Sequence, residues 1–159
     1  GEFSEMLPIL KSVPLDPLAN VSETVALVTA FAKKYGTTLA LRASTTHVGL
    51  PDGSCYIYDG STPGLGIAGS GDVLSGMIGG FLARWLAFLK ETGENRESTN
   101  AAIPSDNPMT KALLGAILVH GSAGKQLWLK KGWFTPIDLA NACARISSGV
   151  MDTNVYDDR

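Results

Sequence analysis

Gly69, Ser70, Gly71 and Asp72, within "GIAGSGDVLSGMIGG" (66–80), are the residues of this chain best suited to chemistry. A helix N-terminus offers unpaired backbone N–H groups and about half a positive charge, and both attract phosphate. Glycines ahead of it remove side chains that would hold an anion away and admit the turn's positive φ angles. An aspartate in the first helical turn has two uses. It can cap the helix, or it can serve as a general base that takes a hydroxyl proton while neighbouring amides bind a transferring phosphoryl group. Positioning and charge stabilisation supply most of phosphoryl-transfer catalysis, so one base beside one anion site is a sufficient minimal set. The segment is not GxxxxGK[ST], since no lysine follows. Nor is it GxGxxG, since Gly66, Gly69 and Gly71 are wrongly spaced. By themselves these residues leave capping and catalysis both open.

The elements that must hold them follow from periodicity and caps. Residues 22–35, "SETVALVTAFAKKY", carry Ser22 as cap, Glu23 in the first turn, Lys33 and Lys34 in the last, and Gly36 as stop, which predicts a helix. "TTLALRA" (37–43) reads as a short strand. "THVGL" (46–50) and "SCYIY" (54–58) read as a β-hairpin around Pro51-Asp52-Gly53. After the glycine loop (60–71), apolar residues at 73, 74, 77, 78, 81, 82, 85 and 89 form a 3.6-residue stripe. Gly76, Gly79 and Gly80 weaken that helix by roughly 1 kcal/mol each, which suggests a buried helix closely approached by another backbone. Residues 92–108 are polar with two prolines and predict a surface loop. A helix from about Thr110 to Lys131 follows, its stripe running through Leu113, Ala116, Ile117, His120, Ala123 and Leu127. The last helix opens at Thr135-Pro136 and runs to about Ser148, and 150–159 is a tail.

The totals narrow the class. With 159 residues the chain suits one α/β domain, residues 1–159, with a proper core. The 13 Lys and Arg are outnumbered by 15 Asp and Glu and are not clustered, which argues against a nucleic-acid partner. Cys55 and Cys143 have neither metal spacing nor a partner framework and read as reduced structural thiols in a cytoplasmic protein. The most apolar run, Val73 to Leu89, is broken by Ser75 and Arg84 and falls short of the ~20 apolar residues of a membrane span, so no membrane partner is expected. His120, on the apolar stripe of its helix, reads as a packed, hydrogen-bonded histidine rather than a ligand contact, and His47, on a strand, could simply face solvent. Trp85, Trp128 and Trp133 read as core or edge packing.

Segment 60–83, "GSTPGLGIAGSGDVLSGMIGGFLA", resembles the signature of the ribokinase-like superfamily. Within it, the segment looks like the ADP- or ATP-dependent NAD(P)H-hydrate dehydratases, often labelled carbohydrate kinases. Pro63, Gly64, Gly69, Ser70, Gly71, Asp72, Val73, Leu74 and Gly76 match that family's pattern, and Thr62 replaces its usual asparagine. "LALRASTTHVGLPDG" (39–53) is similar to its strand ending in Lys-Gly-x-x-Thr, with Arg42 and Ala43 in place of Lys-Gly. "LVHGSAGKQL" (118–127) is like its His-Gly-x-Ala-Gly segment, and "TPIDLANACARI" (135–146) resembles its final helix. Gly1-Glu2-Phe3, followed by Met6-Leu7 and Leu10, fits a further segment that in the family follows a substrate-contacting histidine. The resemblance thus covers nearly the whole chain, while the chain covers the C-terminal half to two-thirds of a three-layer α/β/α domain.

The resemblance implies a mechanism. ADP or ATP phosphorylates the hydroxyl of a hydrated nicotinamide ring, and phosphate is then eliminated to restore NADH or NADPH. Asp72 would be the base. Gly69, Ser70 and Gly71 would donate amides to the phosphoryl group. Arg42, Ala43, Ser44, Thr45 and Thr46 would contact the nucleotide, and Mg²⁺ is expected with it, though no ligand cluster is readable. Two alternatives remain: a kinase of the same superfamily acting on another small alcohol, and a non-catalytic nucleotide-binding fragment. Absent early strands would leave sheet edges and apolar surface exposed, so the reading also expects a homo-oligomer.

Overall fold

Val21–Tyr35 forms helix α1 because Thr24, Val28, Phe31 and Ala32 recur on one face and are buried there, with Glu23 in its first turn and Lys33 and Lys34 in its last. Three short strands follow, β1 (Leu39–Arg42), β2 (Thr46–Gly49) and β3 (Cys55–Tyr58), as an antiparallel meander in the order β1-β2-β3. Leu39 pairs with Gly49 and Arg42 with Thr46, while Gly49 pairs on its other side with Cys55. The expected hairpin turn is present. The Leu50 N–H donates to the Ser54 carbonyl at 2.9 Å, and the Asp52 carboxylate accepts from the Ser54 N–H at 2.8 Å and hydroxyl at 2.7 Å. Helix α1 lies directly on β2 at Gly49, where a Cβ would come within 2.5 Å of the Val28 carbonyl oxygen. Only hydrogen fits there.

A second group of elements opens with a 3₁₀ turn (Pro63–Gly66) and continues through α2 (Ser70–Thr92), α3 (Pro108–Lys131) and α4 (Pro136–Ser147). The core of this group is Ala123, Leu127, Phe134, Leu139, Ala142 and Cys143, with Leu65, Ile67, Val73 and Met77 packed against it. Burial pushes the Cys143 thiol up to about 11, so it acts as a small apolar packing group. Helix α3 starts two residues earlier than about Thr110, because the Asn107 side chain accepts the Met109 N–H at 2.8 Å and Pro108 occupies the first turn. All six residues of its expected stripe are buried. Helix α4 opens as expected at Thr135-Pro136 and adds a capping box, Thr135 with Asp138.

The computed structural model describes residues 21–60, 62–92 and 107–149, and the chain divides into two compact units, 1–61 and 62–159. The segment at Gly1-Glu2-Phe3, most of the polar loop 92–108 and the tail 150–159 lie outside the described residues. Together the helices and sheet make an α/β fold.

Two expectations about α2 need correction. It is not a buried helix, since only Ser70, Leu74 and Leu89 are buried, and a Cβ at Gly76, Gly79 or Gly80 would meet nothing within 4 Å. No other backbone comes close to those glycines among the described residues. Its 23 residues are also long and apolar enough, by length and composition, to cross a bilayer, because glycine and alanine fill the gaps between the larger apolar side chains. Length and composition alone do not place it in a membrane.

Candidate active site

The glycine loop is shaped by the helices beneath it. At Gly64 a Cβ would lie 2.6 Å from a Phe134 ring carbon and 2.8 Å from a Trp128 ring carbon. Leu65 in turn presses on Gly124 of α3, whose Cβ would come within 2.5 Å of it. Gly69 adopts φ +85°, a conformation that side chains resist, and it faces the Pro136 ring at the start of α4, 2.9 Å from where a Cβ would be. That φ turns the chain sharply into the first turn of α2. The loop closes through the Leu65 N–H on the Thr62 carbonyl (3.1 Å) and the Ser70 N–H on the Ile67 carbonyl (3.3 Å).

This geometry decides which amides face outward. The Val73 N–H donates to the Gly69 carbonyl at 3.1 Å and the Ser70 N–H is turned to Ile67, so both are engaged within the turn. Among the described residues, the Gly69, Gly71 and Asp72 N–H groups donate to no other backbone group, and Gly71 and Asp72 are exposed. They are the donors an anion would meet at this helix end. Asp72 itself lies in the first turn of α2, and its carboxylate makes no hydrogen bond or ion pair among the described residues. No capping hydrogen bond to it occurs among the described residues.

Behind the turn, Ser70 and His120 are both buried, at 2% and 3% exposure. His120 Nε2 lies 2.9 Å from the Ser70 carbonyl oxygen and 3.2 Å from Ser70 Oγ. The packed, hydrogen-bonded histidine expected from the stripe is therefore found, and its partner is the glycine turn itself. Sequence reasoning did not identify Gly124, Phe134 and Pro136 as supports of that turn. Nothing in their local pattern signals a partner 59 to 70 residues upstream.

The other expected site residues occupy the first unit. Arg42 ends β1, the Ala43 N–H donates to the Thr45 carbonyl at 2.9 Å, and Arg42, Ala43 and Ser44 are exposed. Thr45 and Thr46 are buried, at 5% and 9% exposure. His47 does not face solvent. It is fully buried, on the strand face that Gly49 shares and α1 covers. Its Nδ1 lies 3.5 Å from Thr45 Oγ and its Nε2 has no partner among the described residues, and burial lowers its pKa. Residues 42–46 and 69–72 thus belong to different units, each with its own internal geometry. No group of three or more His, Cys, Asp or Glu side chains able to hold a metal occurs among the described residues.

Comparison with known proteins gives this turn a context. The family model for NAD(P)H-hydrate dehydratases matches residues 1–145. The chain belongs to that family. An ADP-dependent (S)-NAD(P)H-hydrate dehydratase from Xanthomonas campestris is 37% identical over 98 residues, which are 62% of this chain and 27% of that protein. One from Nitrosopumilus maritimus is 30% identical over 125 residues, 77% of this chain and 36% of that protein. A bifunctional NAD(P)H-hydrate repair enzyme from Moorella thermoacetica is 30% identical over 110 residues, 69% of this chain and 17% of its own length. The chain thus spans about a third or less of the length of these curated relatives. No solved structure matches it. Membership places this chain among ribokinase-like α/β proteins, as its glycine turn implied.

Proposed function

We propose that this chain carries the catalytic turn of a nucleotide-dependent NAD(P)H-hydrate dehydratase, a repair lyase, with ADP or ATP as phosphoryl donor. The observation that carries the reading is the state of Asp72. Its carboxylate is exposed, has no partner among the described residues, and stands beside the outward-facing Gly71 amide at a helix N-terminus. A carboxylate so placed is available to accept a proton, and the neighbouring amides to hold an anion.

In this mechanism Asp72 takes the proton from the hydroxyl of the hydrated nicotinamide ring. The hydroxyl oxygen forms a bond to the terminal phosphorus of the nucleotide as the bond to the leaving nucleotide oxygen breaks. Gly69, Gly71 and Asp72 amides stabilise the charge on the transferring group, with the Ser70 N–H turned inward. The ring C–O bond then breaks and phosphate leaves, and the adjacent ring carbon releases a proton to solvent, the electrons of that C–H bond restoring the ring double bond of NADH or NADPH. Arg42, Ala43 and Ser44, exposed at the end of β1, are the contacts we assign to the nucleotide. The buried Thr45 and Thr46 shape that bend from behind. Mg²⁺ would come with the nucleotide, held mainly by its phosphates and water, a mode that needs no cluster of three protein ligands, and none occurs among the described residues. We also assign the protein to the cytoplasm, where its two free thiols stay reduced.

The test is recovery of NADH absorbance when the protein is incubated with NADH hydrate and ADP or ATP. Asp72→Asn should lower turnover by roughly 10²–10⁴-fold, the usual contribution of a general base, and leave nucleotide affinity within about twofold. An Asp72→Asn protein that turns over like the parent defeats the assignment.

A further inference from the structure

The contact between His120 and the glycine turn does more than fill the core. A carbonyl oxygen has no proton to give, so the 2.9 Å approach of His120 Nε2 to the Ser70 carbonyl requires the hydrogen to be on Nε2. A neutral ring that makes this bond is the Nε2–H tautomer. Ser70 Oγ, 3.2 Å from the same nitrogen, then lies on the accepting side, and its own proton is directed away from the ring.

The Ser70 carbonyl and the Gly71 N–H belong to one peptide group, which is planar and trans, so the two point in opposite directions. A bond that fixes the carbonyl toward α3 therefore fixes the Gly71 N–H away from it, outward from the helix end. Ser70 opens α2, so its carbonyl also accepts within the helix, and the His120 bond is a second tie on a plane flanked by Gly69 and Gly71, which rotate more readily than any other residue. The Ser70 N–H bond to Ile67, at 3.3 Å, is long. Accepting a hydrogen bond at the carbonyl also polarises the peptide and makes its N–H a stronger donor.

We propose that His120 is a positioning residue for the anion site. Through Ser70 it aims and strengthens the Gly71 N–H that meets the transferring phosphoryl group. This rests on the reading of the turn as that anion site, and it places part of the site's control in the middle of α3, buried and out of reach of any ligand.

The experiment uses the full chain labelled with ¹⁵N. Imidazole ¹⁵N–¹H correlation should show His120 as the Nε2–H tautomer, and titration with ADP should move the Gly71 amide proton downfield. His120→Leu should weaken ADP binding by about tenfold and remove most of the Gly71 shift, while His120→Gln, whose amide can donate to the same carbonyl, should recover most of both. An Nδ1–H tautomer overturns the proposal. So does a folded His120→Leu protein with unchanged ADP affinity and Gly71 shift. If His120→Leu fails to fold, the tautomer and the His120→Gln response decide. No Gly71 response to ADP in the parent defeats the anion-site reading itself, and the positioning role with it.

Discussion

At the scale of single residues, both histidines are buried, but the sequence made only one of these burials legible. His120 occupies a helical stripe whose other members are all apolar, so its burial and its need for a partner were legible from spacing. His47 was not legible in this way. It lies on a four-residue strand that is buried at every position, and alternation cannot tell a covered face from an open one there. Its burial has a measurable consequence. The folded protein favours the neutral ring, so its pKa falls below the ordinary 6.5, and the unfolded chain binds the proton more readily. His47 should therefore contribute full stability above about pH 6.5 and lose it as the pH falls below that value toward the folded pKa. Urea midpoints at pH 7.5 and 5.5 check this, since His47→Leu should abolish that part of the pH slope. Asp72 shows the opposite limit of legibility. Its type and place were evident from sequence, but only the structure shows that its carboxylate makes no capping hydrogen bond among the described residues.

At the scale of elements, the hairpin and the helix after Thr135 were readable because turn and cap chemistry is local, carried by Pro51-Asp52-Gly53 and by Thr135-Pro136. The close approaches were not. Gly49 reads as an ordinary strand residue until α1 is laid across it. Gly49→Ala should destabilise the protein by about 1–3 kcal/mol, because backbone must move to admit the methyl group, and a denaturant titration reads this directly. At α4, Thr135→Ala removes one side of the capping box and should cost about 1 kcal/mol by the same measurement. Asp138, the other side, accepts from Lys131 at 2.8 Å and from the Thr135 N–H at 2.8 Å, and these hold its pKa down to about 2. Its contribution is present above the ordinary carboxylate value of 3.8 and fades as the pH falls toward 2. Asp138→Asn should flatten that acid limb.

At the scale of the whole molecule, the sequence pattern marked α2 as amphipathic, and the described residues leave most of its stripe only half-covered. Periodicity shows that a face is apolar but does not show what covers it. Leu129, Trp133 and Ile137 add a second apolar surface, 70%, 68% and 74% exposed, around the end of α3 and the start of α4. Surfaces of this kind favour self-association, and the homo-oligomer expected from sequence remains our proposal. Light scattering across a concentration series should show a mass above 16.7 kDa, and Leu129→Glu with Trp133→Glu should lower it if this surface takes part. The contacts around the glycine loop also bear on how such a chain can change over evolutionary time. Positions 64, 124 and 69 have no side chain, and the space each would fill is occupied by Phe134 and Trp128, by Leu65, and by Pro136. A substitution in either member of such a pair is tolerated only if the other yields, so these positions are constrained to vary together. Mutations at the start of α4 thereby change the mouth of a site that they never touch.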